Sequence, residues 1–353
     1  MTPQATTNNT SNTSNTSNTS TLEGHLYRLS ANESPHAPLP AVLQAINEAA
    51  REVNRYPDLR CAELTAAIAG RLGVPEGGVV VGPGSVAVLQ TLLSAIAGPG
   101  AQVVYAWRSF EAYRLLTQLA GATAVEVPLR SDGTHDLPAM ADAINDRTRL
   151  VFVCTPNNPT GTVLHRPALE AFLDRVPAGC LVVIDEAYRE YVRDTEAPDA
   201  LTLGPGRPNV LVLRTFSKAY GLAALRVGFA VGPPAVIATI RKAGLPYAVS
   251  SLAQTAAVAS LLAQDELMAR VETVTKERGR VREALLAQGW YVPESEANFL
   301  WLPLPDRALG LGAHLAAAGV AVRPFPGAGV RVSIGSAEDN DAFLVAAAAF
   351  PRP

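Results

Sequence analysis

Four short segments carry side chains whose types and neighbours can do chemistry. In Leu211-Val212-Leu213-Arg214-Thr215-Phe216-Ser217-Lys218-Ala219-Tyr220-Gly221, a lysine follows a buried-looking apolar run and sits beside two hydroxyls and a glycine. Partial burial there would lower the amine pKa and make Lys218 nucleophilic. Of the 29 lysines and arginines, lysine stands only at Lys218, Lys242 and Lys276, so a reactive amine has three possible homes. Lys242 follows Arg241 near the end of a helical stretch and Lys276 lies in the charged run from Glu272 to Glu283, so both read as solvated surface. The second segment, Leu181-Val182-Val183-Ile184-Asp185-Glu186-Ala187-Tyr188, places an acid at the carboxyl end of an apolar run. A carboxylate there can pair with a cation such as a protonated ring nitrogen, each offsetting the other's desolvation; the plainer reading is a cap on the following helix. The third, Cys154-Thr155-Pro156-Asn157-Asn158-Pro159-Thr160-Gly161, pins an asparagine amide in a loop stiffened by two prolines, or is simply a tight turn. The fourth, Val81-Gly82-Pro83-Gly84-Ser85-Val86, offers free backbone N–H groups and a helix N-terminus to an anion, with phosphate the natural guest. Taken alone it is a plain strand-to-helix turn with Ser85 as N-cap. Ala87 occupies the place of the third glycine in a dinucleotide fingerprint, and the lysine of a P-loop is missing.

These groups can cooperate only if the chain carries them to one place. Seven short apolar runs punctuate its middle: Val79 to Val81, Val103 to Tyr105, Val125 to Val127, Leu150 to Cys154, Leu181 to Ile184, Val210 to Leu213, and Val227 to Val231. Continuous apolar character over so few residues, with helical segments between, predicts strands buried on both faces of a largely parallel sheet in an α/β fold. Helices are expected at Ser85 to Ala97 and Phe110 to Ala120. In open α/β sheets, ligands bind at the carboxyl ends of the strands. Three strand ends there offer an amide, an acid and a lysine, and a fourth offers an anion turn. The coincidence points to an aromatic, cationic, phosphorylated cofactor that forms a Schiff base, the description of pyridoxal 5'-phosphate.

After Pro246 the pattern changes, with an apolar helix near Ser251 to Leu262 and a charged amphipathic one from about Asp265 to Gln288. Strand-like runs then follow at Asn298 to Leu302, Val320 to Arg323 and Val330 to Ile334. The expected organisation is a disordered Thr/Asn/Ser-rich tail at 1–21, an N-terminal arm at 22–54, a large cofactor domain at 55–245, and a smaller α+β domain at 246–353 that the arm helps to complete.

Composition excludes other classes. A formal net charge of -3 at pH 7 argues against a basic nucleic-acid binder. With 48% hydrophobic and 17% charged residues, the chain can fill a large core. Cys61, Cys154 and Cys180 lie far apart without metal-ligand spacing, so buried, reduced thiols in a cytoplasmic protein are expected and no metal site is. No apolar run is long enough to span a bilayer, and the N-terminus lacks the basic and apolar regions of an export signal.

The ordered set Leu29-Ser30-Ala31-Asn32-Glu33-Ser34-Pro35, Arg55-Tyr56-Pro57-Asp58, Pro156 to Gly161, Asp185-Glu186-Ala187-Tyr188, Thr215-Phe216-Ser217-Lys218 and Val330-Arg331-Val332-Ser333-Ile334-Gly335 resembles the fold-type I pyridoxal-phosphate aminotransferases. The likeness runs from Leu29 to Phe350 and is to the histidinol-phosphate aminotransferase branch. Within that branch, Trp107 to Tyr113 and Asn298 to Pro303 are most similar to the actinobacterial aromatic amino acid aminotransferases. The resemblance implies that Lys218 forms the Schiff base with the cofactor and later carries the proton between the substrate α-carbon and the cofactor. Asp185 would pair with the ring nitrogen, Asn158 and Tyr188 would bond the ring hydroxyl, and Phe110 would stack on the ring. Ser85, the Val86 amide, Ser217 and Arg226 would hold the phosphate, joined by Tyr56 of a partner subunit in a homodimer. Arg331 is implied as the clamp on the substrate carboxylate, with Arg323 a further candidate for the substrate pocket.

Departures from the family pattern bear on substrate choice rather than on chemistry. His36-Ala37-Pro38 replaces Tyr-Gly-Pro, Val86-Ala87 replaces an acidic pair, and Ala224 stands in for a glycine. The reading is a ping-pong transaminase moving the amine of an aromatic L-amino acid to a 2-oxo acid such as 2-oxoglutarate. Alternatives are histidinol-phosphate transamination, a phospho-amino-acid decarboxylase on the same fold, a non-catalytic cofactor-binding regulator and, weaker still, a NAD-binding protein.

Overall fold

The computed structural model describes residues 26–351; the expected disordered tail at 1–21 lies outside the described residues. A two-residue strand, β1 (Tyr27–Arg28), opens the described chain. The seven apolar runs all become strands: β2 (Val79–Gly82), β3 (Gln102–Trp107), β4 (Thr123–Pro128), β5 (Thr148–Cys154), β6 (Leu181–Asp185), β7 (Val210–Thr215) and β8 (Gly228–Val231). They form one sheet in the order β2-β8-β7-β6-β5-β3-β4. Every neighbouring pair is parallel except those made by β8, which runs antiparallel to both β2 and β7. All strands but β8 therefore end at one edge, and β8 begins there, with Gly228 opposite both Gly82 and Thr215.

Both faces of this sheet are covered, as continuous apolar strands require. On one face, Val103, Tyr105, Phe152, Val183 and Leu211 pack with Leu89, Leu92 and Leu93 of the helix Ser85–Ile96. On the other, Val104, Val151, Val153, Val182 and Val212 meet Leu169, Phe172 and Leu173 of the helix Arg166–Arg175. Cys61, Cys154 and Cys180 are buried free thiols.

The later chain forms β9 (Phe299–Pro303), β10 (Val320–Ala321), β11 (Arg323–Phe325) and β12 (Gly329–Ser333). The run expected as one strand from Val320 to Arg323 is divided between two sheets. β10 pairs in parallel with β1 of the arm, whereas β11 joins β12 and β9 in an antiparallel sheet. The arm's helix Pro40–Ala49 does not follow β1 into that core. Its Val42 packs with Ala253, Ala256 and Ala257 of the helix Ser251–Leu262, and with Val79 and Phe229 of the seven-stranded sheet.

Candidate active site

The carboxyl edge of the sheet holds the groups that the sequence placed at strand ends. β6 delivers Asp185, which is 4% exposed. One carboxylate oxygen accepts the Tyr113 hydroxyl at 2.8 Å and the other accepts the Ala187 amide at 3.2 Å. Burial pushes the Asp185 carboxyl up to about 6, and these two bonds hold it back from going further. Among the described residues no cation lies against it. A buried acid without a counter-charge is a site for one, and a protonated ring nitrogen would supply it.

Lys218 lies just past β7, half-buried, with Nζ donating to the Ala31 carbonyl at 3.0 Å. Burial first, then the nearby charges of Arg331 and Arg226, lower its amine to about 8, against a rise from Glu33. A substantial neutral fraction at neutral to mildly basic pH is what attack on an aldehyde needs.

The anion turn is narrower than its sequence shows. Gly84, with φ 89°, is the N-cap and Ser85 is the first helical residue, so the expected Ser85 cap is replaced by a glycine. The Gly84 carbonyl takes the amides of Ala87 and Val88, while the Ser85 and Val86 N–H groups stand where a helix offers no acceptor. Close approach is built into the surroundings. A Cβ at Gly228 would fall 2.5 Å from the Ser85 nitrogen, and one at Gly84 would fall 2.6 Å from Arg226 Nη2. Arg226 Nη1 reaches Ser217 Oγ at 3.4 Å and the Ala223 carbonyl at 2.8 Å, and Ser217 Oγ accepts from Thr215 Oγ1 at 3.0 Å. The turn, Ser217 and Arg226 thus meet in one cradle with the donors and positive charge that a phosphate takes.

Arg331 on β12 is 8% exposed and closes the far side. Nη1 donates to Asn158 Oδ1 and Nη2 to the Ser30 carbonyl, both at 2.6 Å, while Nε is buried without a partner. Asn158 therefore turns its amide oxygen to Arg331, which leaves the amide nitrogen as the donor. Tyr188 is buried, its hydroxyl accepting from Asn32 Nδ2 at 3.0 Å. Asn32 adopts φ 54° and is bound in turn by Ser333 and Asn298. Between these groups lies a cavity of about 470 Å³ lined by Phe110, Asn158, Val322, Pro324, Phe325 and Arg331, with Glu111 and Arg323 also on its wall.

Of the expected residues, Phe110, Asn158, Arg323 and Arg331 line the cavity; Lys218 reaches its wall through the Ala31 carbonyl and lies 6.0 Å from the Tyr188 ring centre, Asp185 is linked to Phe110 through Tyr113, and Ser85, Val86, Ser217 and Arg226 meet in the anion cradle. Tyr56 stands apart from them: it is 84% exposed, its ring 4.8 Å from that of Tyr247. Three contributors escape a reading of single segments. Tyr113 looks like a core residue, yet it is the hydroxyl that holds Asp185; its place three residues after Phe110, whose carbonyl accepts the Tyr113 amide at 3.0 Å just ahead of the helix, was the available signal. Asn32 steadies Tyr188, and Glu111 pairs with Arg323 across 212 residues of sequence.

The residues present fit pyridoxal 5'-phosphate on three independent counts: an acid lacking its cation, a lysine with a lowered pKa, and an anion cradle that a Cβ at Gly228 or Gly84 would invade.

Known proteins place this arrangement. Residues 25–346 match the family model described as aminotransferase class I and II. An aromatic amino acid aminotransferase of Thermobifida fusca is 62% identical over 330 residues, covering 94% of this chain and 92% of that protein. A protein of the same name from Streptomyces coelicolor is 58% identical over 318 residues, with coverage of 90% and 89%. Among solved structures, histidinol-phosphate aminotransferase from Sinorhizobium meliloti in complex with pyridoxal-5'-phosphate superposes with a TM-score of 0.85 at 28% identity, over 90% of this chain and 88% of that one. A match of this extent, on a sheet edge that has gathered the groups such chemistry needs, places the chain in the class I and II aminotransferase family, on fold type I.

Proposed function

We propose that this chain is a pyridoxal-phosphate aminotransferase that takes the amine from an aromatic L-amino acid and passes it to a 2-oxo acid such as 2-oxoglutarate. The observation that carries the aromatic donor is the cavity itself. Above the single deep cation, Arg331, its walls are Phe110, Val322, Pro324 and Phe325, which suit a planar apolar side chain. The names of the relatives at 62% and 58% identity support the same donor class.

Bound in this site, the cofactor supplies an aldehyde that captures amines and a cationic ring that takes up electron density from the substrate α-carbon. Asp185 keeps positive charge on the ring nitrogen, with Tyr113 fixing the carboxylate. Lys218 Nζ holds and returns the α-carbon proton, a task matched to an amine titrating near 8. Arg331 orients the substrate by its carboxylate, and the unpartnered Nε is a donor available for that role. Asn158 and Tyr188 would hold the ring oxygen, Phe110 would cover the ring face, and Ser85, Val86, Ser217 and Arg226 would anchor the phosphate. Donor and acceptor use the same cavity in turn, which is the structural content of a ping-pong cycle.

The reading includes a homodimer, since Tyr56 lies on a surface where Val53, Leu59, Leu245 and Tyr247 are also exposed and where a second copy would receive it. It also includes a cytoplasmic setting and the division into arm, large domain and small domain at about 54 and 245. Among the described residues no helix is long and apolar enough to cross a membrane.

The test is a donor panel of phenylalanine, tyrosine, tryptophan, histidine and histidinol phosphate, scored for 2-oxo acid or aldehyde product. A wide preference for histidinol phosphate would overturn the aromatic reading. Borohydride reduction of the loaded protein followed by peptide mapping should leave the label on Lys218, and label on Lys242 or Lys276 would remove Lys218 from its role.

A further inference from the structure

Two segments of the cavity wall leave the sheet from neighbouring strands that have already parted. β3 and β5 pair in parallel from Gln102 and Thr148 to Tyr105 and Phe152, where their ladder ends. Beyond that point Trp107 stays with Pro128 on β4, and Cys154 stays with Asp185 on β6. The Thr155 amide donates to the Asp185 carbonyl at 3.0 Å, whereas the Cys154 amide goes to Nε2 of the buried His135 at 3.4 Å. Backbone pairing therefore sets no distance between Arg108-Ser109-Phe110, which follows β3, and Asn157-Asn158, which follows β5. Phe110 and Asn158 nevertheless both line the cavity. One side chain spans the gap. Asn157 is 0% exposed, and its amide oxygen and both N–H groups are used: Oδ1 accepts Ser109 Oγ at 2.7 Å, and Nδ2 donates to the Arg108 carbonyl at 3.1 Å and to Thr160 Oγ1 at 2.9 Å. The Arg108 carbonyl fixes which way the amide points, since a flipped amide would set oxygen against oxygen.

Resting on the aminotransferase reading above, we propose that Asn157 is a positioning residue: by bonding the segment just ahead of Phe110 it sets the placement of Phe110 relative to Asn158, and with it the fit of the cofactor ring that the two would share. Ser109 directly precedes Phe110 and Asn157 directly precedes Asn158. A bond between the first members of the two pairs therefore fixes the second members to within the play of a single residue. The same placement reaches Arg331, because Asn158 Oδ1 accepts from Arg331 Nη1. Each partner of a buried amide that is left unpaired keeps its desolvation cost with no bond in return, so the bridge is stiff. The anion cradle is built elsewhere, from the Gly84 turn, Ser217 and Arg226, and none of the Asn157 side-chain bonds reaches it. Loss of the bridge should thus loosen the ring and leave the phosphate anchor intact.

Two ligands read the two halves of the site separately: pyridoxal 5'-phosphate needs the ring contacts and the cradle, and inorganic phosphate needs the cradle alone. We would measure the dissociation constant of the apoprotein for each, by absorbance titration and by thermal shift, in the unaltered protein, Ser109→Ala, Asn157→Leu and Thr160→Val. The expected result is a loss of pyridoxal 5'-phosphate affinity of about three- to tenfold in Ser109→Ala and about 30-fold or more in Asn157→Leu, with inorganic phosphate held within about twofold in both. Thr160 Oγ1 also donates to the Gly133 carbonyl at 3.0 Å, so Thr160→Val loosens the same loop without cutting the bridge to Ser109 and Arg108. It should lower the unfolding temperature and leave both constants within about twofold. Ser109→Ala deletes a single hydroxyl and decides the matter if Asn157→Leu does not fold. Unchanged pyridoxal 5'-phosphate affinity in Ser109→Ala, an equal loss of both ligands, or a loss in Thr160→Val as large as in Ser109→Ala overturns the proposal. An unaltered apoprotein that takes up no pyridoxal 5'-phosphate would mean that the functional reading has failed; one that binds it, with a ratio of the two constants that does not respond, sinks the role of Asn157 alone.

Discussion

The floor and the mouth of the cavity are built by opposite means. At the floor, Asp185 and Lys218 stand at or just beyond the ends of adjacent parallel strands, and Asp185 is fixed by a buried tyrosine and a backbone amide. At the mouth, Glu111 meets Arg323, and Arg108 donates to the Pro326 carbonyl at 2.9 Å, both through half-exposed side chains reaching between separate sheets. Strand ends hold atoms to fractions of an ångström and do so in dry surroundings where charge is strong. Exposed pairs are screened and individually weak, so each can change at small cost to the fold. The difference teaches that the dry floor and the solvated mouth can be altered separately, which makes their separate effects on kcat and KM measurable.

That contrast can be broken by measurement. Lys218→Ala should lower kcat by at least about 10,000-fold with every donor, in single turnovers as well as in the steady state, and a loss below about tenfold would dismiss the amine. Asp185→Asn should cost about 100- to 1,000-fold in kcat, again without regard to donor. A floor variant that altered only KM would erase the distinction.

Tyr113→Phe sharpens it through pH. Asp185 titrates at about 6 in the apoprotein because burial opposes its charge. Affinity of the apoprotein for pyridoxal 5'-phosphate should therefore fall as pH drops through about 6, when the acid becomes neutral and loses its attraction for the ring cation. Removing the Tyr113 bond, which favours the ionised form, should move that midpoint upward and lower kcat about tenfold. Absorbance titrations at a series of pH values read this directly, and a midpoint that stays in place would mean that Tyr113 serves packing alone. The smallest effect belongs to the mouth: Arg108→Ala should raise KM for phenylalanine about two- to fivefold with kcat within about twofold. A collapse of kcat there would show that the mouth shapes the chemistry too.

Much of this was legible in the sequence, for identifiable reasons. Strands such as Leu150 to Cys154 are covered on both faces, so they must be apolar throughout, and chemistry displayed at their ends is conspicuous against that background. The opaque features depend on partners far along the chain. Nothing near Glu111 announces Arg323, and nothing near Asp185 announces Tyr113, because each pairing exists only once β3, β6 and β11 are in place. The division of Val320 to Arg323 between two sheets was hidden for a related reason: a short apolar run specifies extended backbone but not its neighbour. The Gly84 cap escaped because Ser85 is by type the better cap, and the close approach of Gly228 to the Ser85 nitrogen is a tertiary constraint.

The bonds that steady the cavity span long stretches of sequence: 156 residues from Asn32 to Tyr188, 173 from Asn158 to Arg331, 187 from Ala31 to Lys218, and 301 from Asn32 to Ser333. In kinetic terms these are the slowest contacts a chain can form, because the loops they close are the longest. A ribosome-bound chain lacking β12 would have its lysine and its acid but neither Arg331 nor Ser333 to hold Asn158 and Asn32. The seven-stranded sheet can be complete while the cavity is still unformed, so refolding experiments should recover backbone structure before they recover turnover.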